Sequence, residues 1–245
     1  MERFDRAADV RAIQALVATA RGVLLIAVLL LTPAGLVRGG TWLWVRGLTF
    51  VAALGVISGA GNLALAIWRP QHFRVRQQSV VASRDKRQPL LDAIGAAGLL
   101  GFGAAWTIFI PIDVFHLHLL PAPALWVSSL GALAAAVGAA LTPLAVWENR
   151  FATPNVQDQS GQGQQIVDTG VYSLIRHPIY LGNLLLTGGE ALWLGSYAAA
   201  LIGVGVLLIA TVGRIAIEER QLRAQFPEYA AYARRVRARL LPFLV

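Results

Sequence analysis

Apolar residues gather in long, almost unbroken runs rather than in alternating stripes. A run of about 20 such residues can cross a hydrocarbon layer about 30 Å thick. The pattern predicts six spans, over about residues 16–36, 43–68, 90–110, 124–147, 179–194 and 197–217. Helices are the expected form, because each satisfies its own backbone hydrogen bonds in lipid. The strict alternation of a membrane barrel is missing. The fifth run is short for a crossing, so the last two, separated by Gly195 and Ser196, are expected as a shallow or tilted hairpin. The expected fold class is all-α: a polytopic transmembrane helical bundle with a C-terminal cytoplasmic amphipathic helix.

Polar segments divide the chain into three parts. Residues 1–15 mix Arg3, Arg6 and Arg11 with Glu2, Asp5 and Asp9, and read as a short amphipathic helix on the membrane surface. Those acids dilute the basic segment and no small-residue cleavage site follows, so a cleaved signal peptide is not expected. Residues 16–147 form a four-span region. It contains a basic loop, 69–89, with Arg69, Arg74, Arg76, Arg84, Lys86 and Arg87 against Asp85 alone. Residues 148–245 supply a polar loop, the helical hairpin and a basic tail. Loop 111–123 carries Asp113, His116 and His118 but no Lys or Arg. The positive-inside rule then puts loop 69–89, the tail and both termini in the cytoplasm.

Composition supports the membrane reading, since 56% of the 245 residues are hydrophobic and only 14% are charged, too few for a water-exposed surface. The net charge of +8 sits mostly beside the spans, where it sets topology and meets anionic headgroups. Membrane lipids are the expected partners and nucleic acid is not. No segment points to an obligate protein partner. The chain has no cysteine, which excludes disulfides, thiolate metal sites and cysteine nucleophiles. Asp113, His116 and His118 are a weak candidate metal set with no evident fourth ligand, so no metal is assigned. Gly55, Gly59, Gly95, Gly98, Gly101, Gly103, Gly203, Gly205 and Gly213 fall inside spans, where small residues allow helices to approach closely.

Candidate chemistry concentrates in three pieces. The first is VDTGVYSLIRHPIYLG, residues 167–182, a loop feeding into a helix. Pro178 suits the first helical turn, and His177 falls near the N-cap. The free N–H groups there attract anions, and Arg176 adds a cation with bidentate geometry. Gly182, one turn on, lets something approach the helix backbone. On residue types alone an interfacial anchor is the favoured reading of this piece. The second piece is RIAIEERQL, residues 214–222. Arg214 and Glu218, four apart, can pair on one face, while Glu219 is turned about 100° away. The third is the tail from Phe226, with Tyr229 and Tyr232 on one face beside Arg234, Arg235, Arg237 and Arg239; such a basic amphipathic segment is expected on an anionic membrane surface, or folded back as a lid over the loop-helix pocket.

Together, these pieces resemble the isoprenylcysteine carboxyl methyltransferase family and its bacterial relatives, which overlap with phospholipid methyltransferases. The pattern T-G-x-Y-x-x-x-R-H-P-x-Y-x-G is matched by Thr169, Gly170, Tyr172, Arg176, His177, Pro178, Tyr180 and Gly182. The pattern R-x-x-x-E-E-x-x-L is matched by Arg214, Glu218, Glu219 and Leu222; Phe226, Tyr229, Tyr232 and Pro242 follow. Val171 stands where the family often has Pro. Glu190 lies inside a span where relatives are mostly apolar, and is expected to face a cavity or a partner.

The resemblance covers about residues 148–245 and implies a bacterial cytoplasmic-membrane enzyme that uses S-adenosylmethionine to methylate a lipophilic acceptor. Arg176, Glu218 and Glu219 take the catalytic places in that pattern. Gly170, Val171, Tyr172, His177, Pro178, Tyr180, Gly182, Arg214 and Glu219 take the cofactor-binding ones. A phospholipid amine or a small thiol is the alternative acceptor. A nicotinamide-dependent sterol-type reductase, or a transporter or scaffold using Glu190 and Arg46, is the alternative of another class.

Overall fold

The structure is a computed structural model, and it describes residues 2–75, 90–152 and 165–241. The chain is an all-α, polytopic helical bundle, with no strand among the described residues. Its helices are α1 (Glu2–Leu36), α2 (Val45–Trp68), α3 (Leu90–Ile112), α4 (Leu125–Glu148), α5 (Pro178–Leu194), α6 (Tyr197–Gln225) and α7 (Tyr229–Arg235). A π turn, Asp113–Leu117, extends α3, and a 3-10 turn, Gly170–Ser173, precedes α5. Arg76, Arg84, Asp85, Lys86 and Arg87 of the basic loop lie outside the described residues, as does Pro242.

Among the described residues, five helices are long and apolar enough to cross a membrane: Ala8–Leu36 within α1, α2, Leu100–Leu117, α4 and α6. The fifth expected run, α5, has only 17 residues, about 25 Å at 1.5 Å per residue. Both of its ends are fixed by sequence. Pro178 opens the first turn and Gly195, at φ +106°, closes the last in a left-handed cap that suits glycine. Residues 2–15 are helical and run on into the first span as one helix, α1, because no helix breaker intervenes at residue 15.

Antiparallel α1 and α2 pack along their length, and Asn62 Nδ2 donates to Thr19 Oγ1 at 2.9 Å. The core is a cluster in which Leu30, Phe50, Leu54, Trp106, Ile110 and Leu194 are buried together. Trp106 Nε1 donates to Ala199 O at 2.9 Å and ties α3 to α6. At the same end of α6, Ser196 Oγ caps the helix by accepting from Ala199 N at 2.8 Å. That hydroxyl donates in turn to buried Asp113 at 2.5 Å, whose other oxygen accepts from Leu119 N at 3.0 Å. Asp113 is therefore engaged in holding the turn, away from the metal role weighed for it. No group of metal-ligating side chains gathers among the described residues.

The closest helix contact joins α4 to α5. A Cβ on Gly138 would lie 2.5 Å from Gly182 O, and one on Gly182 would lie 2.9 Å from Gly138 O. Seven residues along each helix, a Cβ on Gly189 would lie 2.4 Å from Gly131 O, and one on Gly131 would lie 3.0 Å from Gly189 O. Two reciprocal glycine pairs therefore bring the backbones together where lipid offers no hydrophobic drive. Of the glycines expected to pack, Gly203 does so against Trp106, and a Cβ on Gly55 or Gly59 would meet Val23 or Thr19 of α1 at 3.6 Å. Gly98, Gly101, Gly103, Gly205 and Gly213 have open space where a side chain would stand. This arrangement sets the start of α5 beside the ends of α4 and α6.

Candidate active site

The first turn of α5 presents its polar residues to the end of α6. Pro178 occupies the opening turn and His177 is the N-cap residue. The imidazole does not cap its own helix. Instead, His177 Nε2 donates to Glu219 Oε1 at 3.3 Å. Arg176 Nη1 pairs with the same oxygen at 3.0 Å, and both side chains of that ion pair are buried. Arg239 Nε approaches it at 3.5 Å from the tail. On the other oxygen, Arg223 Nη2 donates to Glu219 Oε2 at 2.9 Å. One buried carboxylate thus gathers cationic groups from α5, α6 and the tail. Desolvating so many charges is tolerable only because they are paired and hydrogen-bonded.

Glu218 faces another way, as the 100° helical offset requires. It is about a third exposed, with His177 Nδ1 3.9 Å from its Oε2. Tyr180 OH donates to that same oxygen at 2.8 Å. Arg214 Nε in turn donates to Tyr180 OH at 3.1 Å. The expected Arg214–Glu218 pairing along α6 is therefore bridged by a hydroxyl from α5. The helical spacing foresaw the two partners but not the third, which arrives from another element.

The tail closes one side. Residues Val236 to Arg239 form a strap across the helix start, in which Arg176 N donates to Ala238 O and His177 N to Arg239 O, each at 3.0 Å. Arg176 Nη2 also donates to Arg237 O at 3.2 Å. Beneath the strap, Tyr229, Tyr232 and Val236 form a buried cluster with Leu222 and Phe226. Tyr232 OH donates to Tyr172 O at 2.9 Å, and Arg235 pairs with Asp168. Burial, reinforced by the charge of Glu219, pushes the Tyr229 phenol up to about 12. Burial likewise raises Tyr172 and Tyr232, so all three keep their protons at neutral pH. Among the described residues, Arg176 Nε and Tyr229 OH lack a well-formed hydrogen bond, although both are buried.

The Thr169–Tyr172 turn is held by α4. Thr169 Oγ1 donates to Glu148 Oε2 at 3.3 Å. Gly170, at φ +55°, would put a Cβ 2.4 Å from the Glu148 carboxyl carbon, so both conformation and space call for glycine. Val171 contributes its carbonyl, which accepts from Leu174 N and Ile175 N. Gly182 lets something approach closely, as its place in the motif suggested, and what approaches is α4. In the structure its open face is filled by helix packing. Sequence reasoning missed Glu148 and Arg223, and named Arg239 only as one of the basic residues of the tail. Arg223 was recoverable from its spacing of four residues from Glu219, whereas Glu148 and Arg239 reach the site only through the tertiary fold.

Two residues weighed for other roles lie apart. Arg46 caps the far end of α5, its Nη1 donating to Trp193 O at 3.3 Å while Trp193 Nε1 donates to Arg46 O at 3.0 Å. Glu190 is buried within α5, and its Oε1 has no partner among the described residues. An apolar cavity of about 160 Å³ between α2, α4 and α5 is lined by Leu186 and Trp193, which flank Glu190 along the helix.

Residues 126–229 match the family model described as phospholipid methyltransferase, which belongs to the isoprenylcysteine carboxyl methyltransferase-like superfamily. The match takes in α4, the site loop, α5 and α6, and stops at the first residue of α7. A curated relative, the cobalt-zinc-cadmium resistance protein CzcN of Cupriavidus metallidurans, is 42% identical over 77 residues. That alignment covers 30% of this chain and 34% of the relative, so the chain spans about a third of the protein it matches. The family match and the five apolar helices together point to a membrane methyltransferase.

Proposed function

We propose that this chain is an S-adenosylmethionine-dependent methyltransferase that acts on a lipophilic acceptor at the cytoplasmic face of the membrane. One observation carries the reading. The Arg176-His177-Pro178 helix start and the Glu218-Glu219 pair, more than 35 residues apart in sequence, meet in a single charged cluster. A cluster of this composition suits a small molecule bearing both signs of charge.

The donor set fits S-adenosylmethionine. Glu218 and the Tyr180 hydroxyl offer acceptors to an ammonium, a sulfonium or ribose hydroxyls. Arg176 Nε, buried and without a hydrogen bond among the described residues, leaves one donor for an anionic group. His177, Pro178, Arg214 and the Gly170–Tyr172 turn line the same end of the bundle. When bound, the cofactor supplies an electrophilic methyl carbon. The chain's own contribution is to hold the acceptor atom in line with that carbon and to exclude water, and positioning of this kind supplies much of the rate. Arg176 orients an anionic acceptor. Glu219 fixes Arg176 and His177 in place while Glu218 balances positive charge at the open edge.

A prenylcysteine-type carboxylate is the acceptor suggested by the site motif. The description of the matched family favours a second reading, transfer to a phospholipid amine. Titration calorimetry on the detergent-purified protein tests the cofactor: binding of S-adenosylmethionine supports the proposal, and binding of a reduced nicotinamide nucleotide in its place overturns it. Transfer of radiolabelled methyl into lipid and small-molecule extracts then identifies the acceptor.

A further inference from the structure

Six arginines stand exposed on the rim formed by the end of α6, α7 and the strap: Arg220, Arg223, Arg234, Arg235, Arg237 and Arg239. Three of them spend their charge internally. Arg223 and Arg239 turn to buried Glu219, and Arg235 to Asp168. The guanidinium groups of Arg220, Arg234 and Arg237 carry no ion pair among the described residues, and Glu228 is the one acid exposed between positions 220 and 239.

The rim continues a lipid-facing surface. On α6, Ile209 is 77% exposed and Val212 58% exposed. Arg220 lies eleven residues after Ile209, which returns it to within about 20° of the same helix face and about 16 Å further along the axis. Arg223 lies within about 20° of Val212 by the same spacing. One face of one helix therefore changes from apolar to cationic along its length, as expected where hydrocarbon gives way to headgroups. Leu174 and Leu241, 65% and 47% exposed, add apolar side chains at this same end. A surface that is cationic at its edge and apolar below it is complementary to an anionic lipid, with a phosphate above and acyl chains beneath.

We propose that Arg220, Arg234 and Arg237 form a docking surface for the headgroup phosphates of anionic membrane lipids. The surface is separate from the Glu219 cluster, and it does not depend on which reaction the chain performs. It seats the α7–strap unit on the bilayer.

Spin-labelled lipids test it on the full chain in zwitterionic phosphatidylcholine nanodiscs. Electron paramagnetic resonance measures the fraction of a phosphatidylglycerol probe immobilised by the protein, against the same fraction for a phosphatidylcholine probe. The expected result is a preference of about threefold or more for the anionic probe, weakening as added salt screens exposed charges. The triple variant Arg220→Gln/Arg234→Gln/Arg237→Gln is expected to bring the ratio close to one. Arg38→Gln, exposed between α1 and α2, is expected to leave it unchanged. Equal immobilisation of both probes by the parent chain, or an undiminished preference in the triple variant, overturns the proposal. Abolition of the preference by millimolar inorganic phosphate at constant ionic strength also overturns it, by assigning the surface to a soluble anion.

Discussion

Glu219 and Arg176 form a buried ion pair, 3.0 Å between Oε1 and Nη1, that joins the end of α6 to the start of α5. Its partners make the carboxylate a structural hub as well as a candidate site residue. Glu219→Gln keeps the shape and removes the charge, leaving Arg176 uncompensated in a buried position. Breaking such a pair from one side costs about 3–5 kcal/mol. The variant should unfold at lower temperature in detergent, whereas Glu218→Gln, at a partly exposed carboxylate, should stay near the parent midpoint. Equal midpoints for Glu219→Gln and the parent chain would contradict the hub.

Tyr180 links Arg214 to Glu218, so removing either end of its bond to Glu218 should be felt at the other. Tyr180→Phe and Glu218→Gln are each expected to weaken S-adenosylmethionine binding, and the double variant to lose less than the sum. A coupling of about 0.5–3 kcal/mol is usual for side chains in one hydrogen-bonded network. Calorimetric affinities of the four proteins in the cycle give the number directly; strict additivity would show that the hydroxyl plays no part in the carboxylate's role.

The glycine pairs between α4 and α5 make a packing prediction. Gly138→Ala and Gly189→Ala each force a methyl group against the facing backbone, and overpacking of this kind costs about 1–3 kcal/mol. Gly205→Ala, where space is open, should leave stability unchanged or raise it slightly through better helix propensity. Thermal denaturation of the three variants in one detergent separates these outcomes.

Tyr229 carries a pH prediction. Its phenol is neutral in both folded and unfolded chains below about 10. Above that the unfolded chain ionises while the folded chain, held up to about 12, does not. The unfolded state then binds fewer protons, so stability falls as pH rises between those values. Tyr229→Phe should make the fall shallower, with Tyr172 and Tyr232 supplying the remainder. Denaturation midpoints measured from pH 9 to pH 12 check the slope.

Much of the architecture was legible because long apolar runs have few alternatives in lipid. Pro178 and Gly195 even marked the limits of α5, although their effect was to leave it shorter than a full crossing. Before residue 16 the charge pattern changes, but nothing breaks the helix, which runs on into the first span. In the site, the two motif pieces told which residues to watch, and the fold brings them into contact. The joining pieces were invisible for a physical reason. Tyr180 enters the Arg214–Glu218 pair from a different helix, and Glu148 reaches Gly170 across an intervening polar loop. The glycines of the two reciprocal pairs on α4 and α5 lie in sequence no differently from Gly98 or Gly205, which have open space among the described residues.

The strap engages α5 through its own carbonyl oxygens, at Arg237, Ala238 and Arg239. Main-chain acceptors exist whatever side chain is attached, so residue identity at positions 237 and 238 is largely free as far as this grip is concerned. Size matters at Val236 and Ala238, which are buried, while Arg237 points outward. Descendants of this chain can therefore drift in spelling along the strap and still fasten it, but a stop codon before position 236 removes the fastening in one step.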